Sequence, residues 1–147
     1  MTFPITKEKV IKKEEAKKEN ISSNNIPAGT KILVVEDDKT CQMVIKAQLK
    51  ALGIEVTIVT NGQEALEKLE QEDYAIILTD VVMKVMDGHE LARRIRKQGK
   101  NIPIIGTTGN ADSASKDECL DAGMNDVLPK PYRPKALYDK IYKYLDM

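Results

Sequence analysis

The most constraining stretch of this sequence is Ile76-Ile77-Leu78-Thr79-Asp80, a short apolar run that ends on a carboxylate. Such a run reads as a strand buried on both faces, and an unpaired charge inside a core is costly. In a parallel sheet, however, the carboxyl ends of the central strands open onto the crevice where such sheets bind ligands. Asp80 is therefore expected at a site.

The remainder of the chain supplies the sheet. Ile32-Leu33-Val34-Val35 is a second buried strand, closed by Glu36-Asp37-Asp38. Val44, Ile45, Leu49 and Leu52 then recur at helical spacing up to Gly53, a helix stop. Ile54 to Ile58 alternates with period two, as an edge strand does. Asn61-Gly62 opens a helix with Ala65, Leu66 and Leu69 inward. Tyr74 to Thr79 is the third strand, followed by a helix from about His89 to Gln98 that buries Leu91, Ala92 and Ile95. Ile102 to Ile105 is the fourth strand, Ala111 to Ala122 a helix stopped by Gly123, and Asp126 to Leu128 a short fifth strand. Leu137, Ile141 and Leu145 mark a last helix. Five strand–helix repeats in succession predict an α/β, doubly wound, five-stranded parallel sheet with right-handed crossovers. With two apolar central strands and an alternating edge, the expected order is 2-1-3-4-5, the flavodoxin-like (βα)5 arrangement.

This order has a chemical consequence. Strand 1 ends at Glu36-Asp37, strand 3 at Asp80, strand 4 at Thr107-Thr108 and strand 5 at Lys130, and parallel strands put all their carboxyl ends on one rim. Three carboxylates, a hydroxyl and one ammonium then share a pocket. Carboxylates so close raise one another's pKa unless a cation intervenes, and one lysine does not balance three anions. An all-oxygen site at a hydrated rim suits Mg²⁺, which keeps several waters and takes one or two carboxylates plus a phosphate. No His or Cys is placed to favour zinc. Asp37, Asp80 and the backbone carbonyl of Val82 are the expected ligands. Asp80, so shielded, is the expected nucleophile towards phosphorus, with Thr108 donating to one phosphoryl oxygen and Lys130 pairing with another.

Charge and composition narrow the function further. The 147 residues carry 23 basic and 23 acidic side chains, so bulk charge favours neither nucleic acid nor an anionic membrane. Residues 1–30 hold six Lys and four Glu. Pairs such as Glu8–Lys12 and Glu14–Lys18 support a helix there only weakly, and residues 1–29 are read as a disordered tail or linker before a domain at 30–147. Cys41 and Cys119 have no disulfide or metal spacing, which fits a reducing compartment. With no signal peptide and no stretch long enough to span a bilayer, a cytoplasmic location is expected. Because the chain stops after the fifth helix, no DNA-binding output domain is expected.

Taken together, Ile32 to Asp38, Thr79 to Gly88, Thr108-Gly109-Asn110-Ala111 and Lys130-Pro131 resemble response-regulator receiver domains, in order and in spacing. The resemblance covers roughly residues 30–146. It implies that Asp80 takes a phosphoryl group from a histidine kinase or a His-containing phosphotransfer protein. It also implies a Mg²⁺ site on Glu36, Asp37 and Asp80, with Thr108 and Lys130 as switch residues. Such a module catalyses only its own phosphorylation and dephosphorylation. It either switches a protein-binding surface, commonly helix 4, strand 5 and helix 5, or relays phosphate. Asp121 to Asp126 looks most like the receivers of hybrid kinases.

Three positions depart from the family. Lys84 stands where proline is usual, Val127 where many receivers have a switching aromatic, and apolar Val82 two residues past the acceptor, which implies a long-lived phosphoryl group. Among other residues, Asp38 is read as a helix N-cap, His89 as exposed and structural, Cys119 as core and Cys41 as incidental. Tyr132, Tyr138, Tyr142 and Tyr144 are read as helix flanks, and a cis bond before Pro131 is expected. Two other functions compete. A flavodoxin-like cofactor binder would use Gly106 to Asn110 as a phosphate loop, but that loop follows strand 4 and no stacking aromatic is placed for a flavin. A Mg²⁺-dependent phosphohydrolase with an aspartate nucleophile needs a second acid at position 82, which is valine.

Overall fold

The computed structural model describes residues 26–27, 29–83, 86–109, 112–131 and 133–145. Lys84, Ala111, Tyr132 and the tail pairs Glu8–Lys12 and Glu14–Lys18 lie outside them.

Five strands, β1 (Lys31–Val35), β2 (Glu55–Val59), β3 (Ile76–Asp80), β4 (Ile104–Thr108) and β5 (Asp126–Pro129), form one sheet in the order β2-β1-β3-β4-β5. All four pairings are parallel. The helices are α1 (Lys39–Ala51), α2 (Gly62–Gln71), α3 (Gly88–Lys97), α4 (Ser113–Asp121) and α5 (Pro134–Leu145). The expected fold and strand order are the observed ones.

Side chains one residue apart on a strand point to opposite faces, so each central strand feeds two cores. Leu33, Val35 and Ile77 pack under α2, α3 and α4 with Ala65, Leu66, Leu69, Leu91, Ile95 and Cys119. Ile32, Val34, Ile76 and Leu78 pack under α1 and α5 with Ile45, Leu49, Leu137 and Ile141. The sheet is thus covered by three helices on one face and two on the other. Val44, grouped with the inward residues of the first helix, is exposed instead, because Ile45 and Leu49 alone fill that helix's contact with the sheet. Ile26, which the sequence places in the tail, is buried in the second core.

Helix boundaries follow from local chemistry. Asp38, Asn61, Asp87 and Asp112 each accept the backbone N–H three residues on, satisfying a donor the first turn leaves open. Asp112 therefore starts α4 two residues later than apolar spacing from Ala111 predicts. α5 opens on Pro134, whose missing N–H costs nothing at a first helical position. Gly53, Gly99 and Gly123 follow α1, α3 and α4 at φ +80°, +82° and +112°, the left-handed turn that ends helices.

The fourth strand is shifted from its expected span. It runs from Ile104 through Thr108, because Pro103 has no N–H for the ladder while Gly106 and Thr107 are flanked by partners on both sides. Gly106 leaves room there for two side chains. A β-carbon would lie 2.7 Å from Met124 Sδ and 3.1 Å from Val81 Cγ2.

Candidate functional site

The carboxyl ends of β1, β3, β4 and β5 meet on one rim, and the residues expected there converge. Glu36 follows β1, its backbone N–H bonded to Val59 O at 3.0 Å. It is almost wholly buried, at 1% exposure, beside Asp80 at 8%. Asp37 is exposed. Each of the three offers an oxygen within 4.8 Å of the other two.

Lys130 closes the pocket from the end of β5. Its Nζ lies 3.2 Å from Glu36 Oε1 and 3.2 Å from Asp80 Oδ2, bridging residues from opposite halves of the chain. The Lys130 N–H donates to Thr108 O at 2.8 Å, which ties the lysine to the tip of β4. Thr108 itself is buried at that tip. The Lys130–Pro131 peptide is cis.

The backbone completes the frame. Asp38 N–H donates to Glu36 Oε2 at 3.2 Å and Val82 N–H to Asp80 Oδ1 at 3.3 Å. Gln42 Nε2 holds Glu36 O at 2.6 Å. The turn after β3 is pinned by Val81 N–H to Thr107 O at 3.0 Å and Gly88 N–H to Val81 O at 2.9 Å. Val82 rides on that turn with 75% of its surface open.

Burial and, next, the Asp80 carboxylate push the Glu36 carboxyl above its ordinary pKa, against the pull of Asp38 N–H and Lys130. The net upward direction means that Asp38 N–H and the Lys130 ammonium do not offset burial and the neighbouring Asp80 charge together. An added cation offsets that charge. The donor set is entirely carboxylate oxygen, with no His or Cys in the cluster, which fits a hard ion such as Mg²⁺. This pocket can hold a divalent ion and, beside it, a small anion contacted by the Lys130 ammonium.

Some readings need correcting. Cys41 is not incidental. Its Sγ lies 4.0 Å from Lys130 Nζ, and burial raises its thiol pKa, because the first turn of α1 faces the pocket. His89 is half-buried, with Nε2 3.4 Å from Cys119 Sγ; helical spacing says nothing about a contact between α3 and α4. Cys119 is core, as expected. Tyr144 is more than a flank, since its hydroxyl lies 3.0 Å from both Asn125 O and Asp126 Oδ2. The segment that a cofactor binder would use as a phosphate loop is β4 itself through Thr108, so its backbone serves the sheet ladder.

Fold and pocket together define an α/β protein with an acidic, lysine-closed pocket on the carboxyl rim of a parallel sheet. The family model for the response regulator receiver domain matches residues 32–142, and the chain belongs to that family: it is a receiver domain of two-component signalling, a phosphoacceptor module. The receiver domain of sensor histidine kinase PA1611 from Pseudomonas aeruginosa, solved with a magnesium ion coordinated in its active-site cleft, is 39% identical with a TM-score of 0.76. That match covers 82% of this chain and all of the other. A co-crystal structure of Saccharomyces cerevisiae Ypd1, a histidine phosphotransfer protein, with the receiver domain of Ssk1 matches at TM-score 0.77 and 27% identity, covering 83% of this chain and 92% of that one. Sensor protein EvgS of Escherichia coli is 37% identical over 131 residues, 89% of this chain and 11% of EvgS. The chain spans 11% to 15% of the first curated relatives it matches. Among the described residues, no helix is long and apolar enough to cross a membrane.

Proposed function

We propose that Asp80 is the phosphoacceptor, taking its phosphoryl group from the phosphohistidine of a histidine kinase or a His-containing phosphotransfer protein. One observation carries the reading: Lys130 Nζ sits 3.2 Å from both Glu36 and Asp80 while Asp37 completes the acidic cluster. A carboxylate oxygen of Asp80 attacks phosphorus, the phosphorus–nitrogen bond breaks, the imidazole leaves, and an acyl phosphate remains. Phosphoryl transfer asks mainly for positioning and charge neutralisation. Lys130 pairs with one phosphoryl oxygen and the Thr108 hydroxyl donates to another. Val82 N–H, already bonded to Asp80 Oδ1, fixes the carboxylate plane.

Mg²⁺ would be held by Glu36, Asp37, Asp80 and the Val82 carbonyl, and when bound it neutralises charge on the transferred group. The magnesium in the PA1611 receiver supports this assignment. The Ypd1–Ssk1 complex supports a phosphotransfer protein as donor, and the likeness to EvgS and RcsC supports a kinase. We read residues 30–147 as the signalling unit and 1–29 as a tail whose Ile26 packs beneath the sheet. It catalyses only its own phosphorylation and dephosphorylation, and its output is a switched protein surface or onward relay. The free thiols of Cys41 and Cys119 accord with a cytoplasmic setting.

The test is incubation with acetyl phosphate and Mg²⁺, read by intact mass. One added phosphoryl group in the wild type, absent in Asp80→Asn and in EDTA, is the expected result. A label that survives Asp80→Asn overturns the assignment.

A further inference from the structure

The hexapeptide Asp121-Ala122-Gly123-Met124-Asn125-Asp126 takes no part in the chemistry above. It lies at the other end of the sheet, where β5 begins, and it is clamped from two sides. From α3, the Arg96 guanidinium donates to Gly123 O at 2.9 Å, Lys100 O at 2.9 Å and Asn125 Oδ1 at 2.8 Å. Three neutral acceptors on one planar fork make this a device for geometry more than for charge. From α5, the Tyr144 hydroxyl reaches Asn125 O and Asp126 Oδ2, each at 3.0 Å. Lys140 Nζ adds an ion pair to the same Asp126 oxygen at 2.9 Å.

Asn125 is the hub. Besides Arg96, its Oδ1 accepts Ile104 N–H at 2.9 Å, and its own N–H donates to Ile104 O at 2.7 Å. One residue thereby joins α3 and β4 through its side chain and, through its backbone carbonyl, α5.

The strand this hub starts is the one that ends at Lys130. β5 is an edge strand, paired with β4 alone, so no second ladder fixes its placement. α5 runs back along it and is fastened at its far end by Tyr144 and Lys140. Strand and helix thus form one unit, closed at the bottom by Asn125 and Asp126 and carrying Lys130 in the turn at its top. Five residue steps, from Asn125 to Lys130, separate the two ends, about 16 Å. The ammonium must hold a position 3.2 Å from two carboxylates, and a displacement of about 1 Å at a reacting site can cost about 100-fold in rate.

We propose that Asn125, backed by Tyr144, is a positioning residue for phosphoryl transfer: it sets the height of the β5–α5 unit and so the place of Lys130 beside Asp80. The inference rests on the reading of Asp80 as acceptor and Lys130 as its phosphoryl partner. It gives the hexapeptide a role that helical or strand periodicity does not.

The experiment uses the full chain with acetyl phosphate at saturating Mg²⁺, the rate constant read by intact mass. Magnesium affinity is measured by calorimetry and folding by urea titration. Asn125→Ala is expected to slow phosphorylation at least tenfold with Mg²⁺ affinity unweakened, because Glu36, Asp37 and Asp80 come from the ends of β1 and β3 and lose only the competing Lys130 ammonium. A general structural defect would weaken both. Asn125→Asp keeps an oxygen for Arg96 and Ile104 N–H and is expected within threefold of wild type. The proposal is overturned if folded Asn125→Ala reacts at the wild-type rate, or if Asn125→Asp is as slow as Asn125→Ala. Should Asn125→Ala lack a cooperative transition, Tyr144→Phe decides: a several-fold slower reaction at unweakened Mg²⁺ affinity supports it, and a wild-type rate overturns it. Asp80→Asn runs alongside; a label persisting there sinks the acceptor assignment itself, a separate failure from that of the hub.

Discussion

Replacing Asp80 by Asn should abolish phosphorylation and yet make the metal-free protein more stable. Asp80 is repelled by Glu36 and Asp37, each with an oxygen within 4.8 Å, and attracted by Lys130 at 3.2 Å. At an effective dielectric of about 20, each repulsion is roughly 3.5 kcal/mol and the attraction roughly 5 kcal/mol. Two repulsions outweigh one attraction by roughly 2 kcal/mol. Exposure of Asp37 and partial hydration of Lys130 screen this to about 1 kcal/mol. Asparagine keeps the oxygen that accepts Val82 N–H, so little hydrogen bonding is lost. Urea titration in EDTA at neutral pH and low salt then moves the midpoint up by about 0.5 M, given a slope of about 2 kcal/mol per M. Added Mg²⁺ stabilises the wild type and leaves the variant nearly unchanged. A metal-free Asp80→Asn protein that is less stable than wild type by 1 kcal/mol or more (about 0.5 M urea) would refute the charge argument, for it would mean the Lys130 pair dominates the pocket.

Other outcomes follow from the same geometry. Val82→Asn should hasten loss of the phosphoryl group, since an amide at this open position can orient an attacking water; a phosphoryl lifetime by intact mass that is unchanged or longer contradicts this. Asp126 is buried, which raises its pKa, but Lys140, Val127 N–H and Tyr144 outweigh burial and hold it below its ordinary value. Its stabilisation is therefore complete above the unfolded pKa and lost as pH falls through the depressed folded one. Asp126→Asn should cost about 2 kcal/mol at neutral pH, shrinking towards zero in strong acid, as urea midpoints across pH will report; a constant deficit would refute the linkage. Gly106→Ala should lose about 1–3 kcal/mol through the clash with Met124 and Val81, visible as a lower Tm.

The fold was legible because short, largely apolar strands and helices alternate from Lys31 to Leu145. The candidate pocket was legible for a related reason. Parallel topology sends every strand's carboxyl end to one rim, so finding where each strand ends locates Glu36, Asp80, Thr108 and Lys130. Cys41 escaped because one residue on an α1 turn carries no signal of what stands 4.0 Å across the pocket. Val44 misled because helical spacing marks a stripe wider than the two residues the sheet covers.

By itself, then, the sequence determined what is local or periodic: strand and helix identity, the Asx caps, the glycine stops, the strand order and the residues at the rim. Only the tertiary structure decided what depends on distance between remote segments. It brought Lys130 within 3.2 Å of two acids and joined Arg96 and Tyr144 through Asn125. It also buried Glu36 deeply enough that loss of water and, next, the Asp80 charge shift its titration upward. Periodicity records the direction in which a side chain points. The strength of a Coulomb interaction or a hydrogen bond depends on separation and on the water excluded between the partners, and those exist only once the chain has closed on itself.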